Sequence, residues 1–453
     1  MNKKKTLNDF KIKLNLFIEI QLINKMVSSR ESNNNSSSPE EYINFIKNNP
    51  NITKTDIDEG LEMYCYNICN NDDNSQIKSC RGVVINDKNE IVLKSFPYTV
   101  EYNMDNYDEL SKIINNDNIS DFKFFDSYEG TLVRMFFYND KWYIATHRKL
   151  DAFKSKWASR ESFGEQFQKC VDYELENNEK LKELVSEYVD LENMEKFKNI
   201  LNKEKQYMFL LLNTATNRIV CQPLEYSKMF HVGTMTKDSE NINYDDEFCI
   251  DKPRKHSFEK INDLLDYCSK VDISKIQGVI CFNGNMTYKI LNDYYDDFFK
   301  VRGNEPSIKF RYLQVRIDIE TANKLRYLYY DYNRQFDIYE DTLYQIAVEI
   351  YNAYVDRFIK KNFVTVPSEN FRVVKRCHEL YKEDRLNNKI KLSVVIDILN
   401  EQSPTSLNVM IKRKLTQNKR LLKPSNAVSS FNPQSNPQSN PQSNPQSNPQ
   451  SNP

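Results

Sequence analysis

The sequence predicts an α+β fold in which an antiparallel-sheet domain precedes an all-helical one. Three observations carry this. Through residues 1–300, strand-length apolar runs recur with tight polar turns between them. After Arg316 the apolar spacing becomes helical, as in "YEDTLYQIAVEIYNAYVDRFIKK", where Leu343, Ile346, Ala347, Ile350 and Tyr354 share one face. Of the eight glycines in the whole chain, none lies beyond Gly303.

In chain order, "FKIKLNLFIEIQL" (10–22) alternates apolar and polar positions with strand periodicity, and a polar run then sets it apart. It is an N-terminal appendage, or a translated leader if Met26 is the true start. From about residue 40 a short helical region leads into "CRGVVINDKNEIVLKSF", whose apolar runs 83–85 and 91–93 flank a polar turn and predict a hairpin. A second hairpin is expected over 132–145 about Asn139-Asp140. Residues 160–205 are rich in Glu and Lys, with Leu181, Leu184, Val185 and Tyr188 at helical spacing. They predict a surface helical insertion with a solvated charged face. Strands are expected again in "QYMFLLLN" (206–213) and "RIVCQ" (218–222). "GVICF" and "TYKIL" form a third hairpin about Asn283-Gly284-Asn285. The expected division is an appendage and linker (1–40), the sheet domain (41–316), the helical domain (317–423) and a tail (424–453). The tail holds five copies of Asn-Pro-Gln-Ser and a final Asn-Pro, with nothing apolar to offset ordering entropy, so disorder is expected.

With 453 residues, 39% hydrophobic, the chain can bury a core in each of two or three domains. Lys plus Arg number 63 against 64 Asp plus Glu, so any attraction to nucleic acid must come from local clusters rather than net charge. Nine scattered cysteines lack zinc-site or disulfide-scaffold spacing, and four isolated histidines offer no metal site. The expected setting is intracellular and reducing. No apolar run reaches the ~20 residues that span a bilayer.

Three of the rare glycines sit at strand edges beside polar residues: Gly82 after Arg81, Gly130 after Glu129, and Gly278 after Gln277. Glycine in such places marks a tight turn or a close approach to a ligand. Four motifs around them resemble, in order, those of the phage-type RNA ligase 1 family of covalent nucleotidyltransferases. They are "CRGVVI" with "KSFPYTVEYN" (80–85, 94–103), "SYEG" (127–130), "TATNRIV" (214–220), and "IQGVI" with "TYKILNDYY" (276–280, 287–295). The chain also resembles divergent ligase-like proteins of large DNA viruses, and its Asn/Lys/Ile-rich composition agrees with a viral source. The resemblance implies a nucleotidyltransferase-like sheet domain over about residues 75–300, with the helical domain as a family feature. It also implies a nucleotide pocket involving Arg81, Glu129, Gly130, Arg148, Lys149, Gln277 and Lys289.

The departures from the family pattern are chemical. Ser127 stands in the slot of the lysine that attacks the α-phosphate of ATP, and serine forms no phosphoramidate. Gln277 replaces a metal-supporting glutamate, removing charge where a divalent cation gains from it. Leu210, Leu211 and Leu212 lie where a ribose-binding glutamate is expected. Leu291 replaces the second lysine of the fifth motif, although Lys289 persists. Glu129, standing for aspartate, is suited either to hold the ribose or to position the turn.

Basic residues interleave with aromatics in two clusters. Residues 145–160 hold Arg148, Lys149, Lys154, Lys156 and Arg160 with Phe153 and Trp157; residues 300–316 hold Lys300, Arg302, Lys309, Arg311 and Arg316 with Phe310 and Tyr312. A third, 412–423, has six cations and no acid. Such clusters suit single-stranded RNA, with Lys154, Lys156, Arg302 and Arg311 as contacts, and equally form solvated faces. Three functional readings follow. The first is a catalytically degenerate ligase-like protein that binds nucleotide or single-stranded RNA. The second is an active ATP- and Mg²⁺-dependent ligase with a relocated nucleophile such as Lys149. The third is an interaction protein with an empty cleft. If the chain is viral, the host cytoplasm or the virion is its expected place.

Overall fold

The apolar runs of the first 300 residues fold into strands wherever a short polar turn lets two of them pair. The computed structural model describes residues 38–94, 98–236, 242–284 and 286–421. The alternating run 10–22, part of the aromatic loop (95–97), the end of the third basic cluster and the repeat tail lie outside them.

Among the described residues there are thirteen strands. The first five are β1 (Ile52–Asp58), β2 (Leu61–Tyr66), β3 (Arg81–Asn86), β4 (Ile91–Leu93) and β5 (Thr99–Tyr102). Next come β6 (Lys123–Ser127), β7 (Gly130–Tyr138), β8 (Lys141–Ala145), β9 (Lys205–Leu212) and β10 (Met229–Thr236). The last are β11 (Lys255–His256), β12 (Gly278–Asn283) and β13 (Met286–Leu291). They form three sheets, ordered β1-β2-β3-β4, β10-β9-β7-β8 and β11-β6-β12-β13-β5. Neighbours are antiparallel except β13 and β5. The expected hairpins β3/β4, β7/β8 and β12/β13 are all present.

The second and third sheets face each other across an apolar layer that includes Phe125 and Phe282 from one and Met208 and Met235 from the other. Helices Tyr107–Ile113 and Ile261–Lys270 cover the outer face of the third sheet through Leu110, Ile261 and Leu264. The first sheet packs Met63, Val84 and Leu93 on Phe136 and Tyr143 of β7 and β8, with helix Pro39–Asn48 behind it.

Three expectations are corrected. Residues 52–66 form the β1/β2 hairpin, where only a helical region was expected. The insertion is helical, at Phe163–Asn177, Glu179–Leu184 and Asn193–Asn199, but not merely superficial. Its Phe167, Val171, Leu181 and Phe197 pack on Val133, Phe209 and Leu211 and close the outer face of the second sheet. Finally, residues 218–222 are not a strand. The backbone N–H groups of residues 219–221 turn to a buried carboxylate, and that of Gln222 to the Ser274 carbonyl, instead of to a neighbouring strand.

The chain divides into two compact units, Met1–Arg334 and Gln335–Pro453. Helices Asp293–Arg302, Ile308–Val315 and Ile319–Leu328 therefore belong to the first unit, which runs past the change of spacing at residue 316. The second unit is helical, with Leu343, Ile346, Ala347, Ile350 and Tyr354 buried as their spacing predicts. In it Arg413 and Lys414 of the third basic cluster pair with Glu369 and Glu349, each at 2.5 Å. No helix among the described residues is long and apolar enough to cross a membrane.

His231, on β10, is fully buried among Tyr207, Phe209 and Phe248, and neither ring nitrogen has a hydrogen-bond partner among the described residues. Burial, then the nearby Lys252, pulls its pKa down to about 4. The unfolded chain therefore takes up this proton first as pH falls. Stability from the neutral imidazole is complete above about pH 6.5 and is lost toward pH 4. The His231→Phe variant is expected to lose about 2 kcal/mol less than the parent between pH 7 and pH 4.5 in urea unfolding. Equal losses would show that His231 is not the group titrating.

Candidate nucleotide cleft

Between the two facing sheets lies a cleft of about 190 Å³. Its walls are apolar, with Phe125, Leu132, Leu210, Val232, Ile280 and Phe282, and three cations line it: Arg81, Lys252 and Lys289. Mostly apolar walls with a few placed polar groups are the usual lining of a small-molecule site. An aromatic, anionic ligand suits this lining.

Ser127, the last residue of β6, is 3% exposed and lines the cleft. Its hydroxyl donates to Gln277 Oε1 at 3.4 Å, and Gln277 N donates to the Ser127 carbonyl at 2.7 Å. The partner of the hydroxyl is thus a neutral amide, which does not serve as a general base. Gly278 pairs with Ser127 at φ +148°, and a Cβ there would meet the Ile290 carbonyl at 2.1 Å. The glycine is what allows β12 to bring Gln277 alongside Ser127. On β13, Lys289 donates to Glu101 Oε1 of the parallel neighbour β5 at 2.7 Å.

Arg81, Ser127, Gly130, Gln277 and Lys289 all line this one cleft. The other expected site residues stand apart from it. Glu129 is 3% exposed, and its carboxylate accepts from the backbone N–H groups of Val220 (2.6 Å), Cys221 (3.0 Å) and Ile219 (3.2 Å). Of its two expected roles, the geometry serves positioning. Lys149 is held by Asp56 at 3.1 Å, and Arg148 donates to the Tyr66 carbonyl at 3.2 Å.

The basic clusters behave similarly. Arg302 is 1% exposed, donates to the Tyr329 hydroxyl at 2.8 Å, and lies 5.2 Å from the Trp157 ring. The structure thus brings the two clusters together, but through a buried cation rather than an open surface, which corrects the expectation for Arg302. Arg311 donates to the carbonyls of Val301 and Lys300, closing the end of helix Asp293–Arg302. Lys154 is exposed and paired with Asp151 at 3.4 Å; Lys156 is exposed.

Lys252 was not expected in the site. It precedes Pro253 in the loop before β11, and its Nζ donates to the Tyr244 carbonyl at 2.8 Å. Burial pulls its pKa down. The local sequence "DKPRK" (251–255) was the available signal, a basic run interrupted by proline. The carboxylate lining the cleft, Asp126, has one oxygen committed to His256 Nε2 and the Tyr267 hydroxyl, both at 2.7 Å. Among the described residues no three His, Cys, Asp or Glu side chains converge as a metal site, and all nine cysteines are free thiols.

No family model matches the chain. Among curated proteins it is similar to the immediate-early protein ICP-46 homolog of Invertebrate iridescent virus 6, with 28% identity over 383 residues, covering 78% of this chain and 80% of that protein. It is 28% identical over 356 residues to the homolog of Invertebrate iridescent virus 3, covering 74% of this chain and 73% of that one. Immediate-early protein ICP-46 of Frog virus 3 (isolate Goorha) matches at 25% identity over 42% of this chain and 49% of its own length. These viral relatives support a viral source. Among solved structures, a protein described as an ATP-dependent DNA ligase from Aquifex aeolicus aligns at TM-score 0.33 and 12% identity, covering 84% of this chain and 79% of that one. Naegleria gruberi RNA ligase with PPi aligns at TM-score 0.27 and 11% identity, covering 41% and 55%.

Proposed function

We propose that the protein is a catalytically degenerate relative of the phage-type RNA ligases, one that binds a nucleotide or single-stranded RNA without becoming adenylylated. One observation carries this reading. Five positions singled out by motif resemblance, from four separate stretches of sequence, line a single cleft between two sheets. That cleft has cations for phosphate and apolar walls for a base, but no amine in the nucleophile's slot. The viral relatives and the free thiols support placing the protein in the reducing interior of an infected cell, or in the virion.

Incubation with α-labelled ATP and Mg²⁺ is expected to leave no acid-stable label on the protein. A fluorescent ATP analogue is expected to bind, and Lys289→Glu to weaken it. Ser127→Lys alone should not restore labelling, since the charge that stabilises the transition state is still missing. Adding Gln277→Glu and Leu291→Lys should bring label in; Leu291 shares the strand face of Lys289.

One observation favours the active-enzyme alternative. Lys252, unlike Lys149, lines the cleft, and burial favours its neutral, nucleophilic amine. Label on the unmodified protein, mapped to Lys252 and abolished by Lys252→Arg, would replace the degenerate reading with that one.

A further inference from the structure

Behind the cleft lies a second cavity of about 510 Å³, and Asp126 and Tyr128 line both. The Tyr128 ring packs on Phe230 at 4.7 Å, so the aromatic pair stands where the two cavities meet. Further out, Tyr226 is 46% exposed and stacks on Tyr173 at 4.7 Å and 13°. Four cations line the second cavity, Lys228, Arg254, Lys270 and Lys275, against two carboxylates, Asp126 and Asp272.

Lys228 is paired with Asp251 at 2.6 Å and Glu174 at 3.5 Å, but carboxylates do not cancel the other three cations. Asp126 is engaged by His256 and Tyr267. The Lys270 and Lys275 side chains are 72% and 77% exposed, and their partners Asp266 and Asp272 lie within one helical turn. Exposed pairs of that kind contribute little and yield readily to a phosphate. Arg254 is fixed to the third sheet through its carbonyl, which accepts from Asp126 N at 2.9 Å, and its side chain is exposed. Partly exposed rings with exposed cations beside them are what stacked bases and a phosphate backbone require.

We propose that this cavity is a binding track for single-stranded RNA, holding the nucleotides that adjoin the one in the cleft. Bases stack at Tyr128 and Tyr226, and phosphates lie along Arg254, Lys270 and Lys275. The proposal rests on the nucleotide-binding reading of the cleft and extends it to a polymer. It also moves the RNA surface away from the two basic clusters singled out by sequence.

The test uses the full chain, a fluorescent oligouridylate of about ten nucleotides, and the fluorescent ATP analogue. Joint reversal of Lys270→Glu and Lys275→Glu is expected to weaken RNA binding by ten- to a hundredfold and to flatten its salt dependence by about 1.4 in logarithmic slope. Tyr226→Ala should cost about tenfold. Binding of the ATP analogue should be unchanged in both, as should RNA binding in Lys180→Glu with Lys182→Glu. RNA binding that survives the track variants but is lost in Lys154→Glu with Lys156→Glu would overturn the track and leave the functional reading standing. Binding of the ATP analogue but no RNA at low salt would also overturn it, in favour of an acidic protein partner. Binding of neither would bring down the functional reading itself, and the track with it.

Discussion

Glu129→Ala is expected to destabilise the first unit by about 4 kcal/mol, among the largest effects a single substitution produces. The carboxylate is buried and accepts three backbone N–H groups, from Ile219, Val220 and Cys221, with Asn213 Nδ2 at 3.4 Å beside them. Truncation strands those donors, at about 1–3 kcal/mol for each that water does not reach. Burial first, and then the Glu129 carboxylate, push up the Cys221 thiol and the Tyr295 phenol, so the charge is felt on both sides. The loop it holds is in turn fixed by Tyr329, whose hydroxyl lies 2.8 Å from the Arg218 carbonyl and 2.7 Å from that of Ile219. Glu129→Gln keeps one acceptor oxygen and is expected to cost roughly half as much. Urea unfolding measures both. Should Glu129→Ala unfold like the parent while losing affinity for the ATP analogue, the residue would be a ligand group and not a clamp.

The parts of the fold that were legible in sequence are those specified locally. The hairpins at 81–93, 130–145 and 278–291 each place apolar runs on either side of a short polar turn, and the helices of the second unit repeat apolar residues on one face. The β1/β2 hairpin was not legible because β1, "ITKTDID", is charged and fully buries only its first residue, and its turn at Glu59-Gly60 relies on positive φ at both residues. Residues 218–222 have a strand's composition but not its bonding, since the donors of 219–221 go to the Glu129 carboxylate, far earlier in the chain. The same distinction divides the site. Ser127, Gly130 and Gln277 could be found because motif and rare glycine coincide. That Lys149 is tied to Asp56, that Arg302 is buried, and that Lys252 enters the cleft are consequences of pairings across long stretches of chain, which spacing does not encode.

Gly82→Ala should be comparably damaging, by about 3–5 kcal/mol, for a reason that also reaches the cleft. Gly82 sits at φ +82°, where an L side chain is strained, and a Cβ would lie 2.6 Å from Arg134 Nη2 and 2.7 Å from the His147 carbonyl. Arg134 is 1% exposed; it donates to the carbonyls of Gly82 at 2.7 Å and Thr146 at 2.5 Å, joining β3 to β7 and the end of β8. Burial pulls its guanidinium pKa down to about 9, which marks how little water reaches it. Arg134→Lys, too short to bridge both carbonyls, is expected to cost about 2–3 kcal/mol. Because one of the three clashes at Gly82 is with the guanidinium and the other two with the His147 backbone, Gly82→Ala combined with Arg134→Met should lose less than the two single changes together. The rescue stays partial, since the His147 backbone remains in the way. Arg81 precedes Gly82 and lines the cleft, so Gly82→Ala should also weaken binding of the ATP analogue in the protein that still folds. Strict additivity in the double-mutant cycle, measured by urea unfolding, would mean that the guanidinium and the glycine do not share this space.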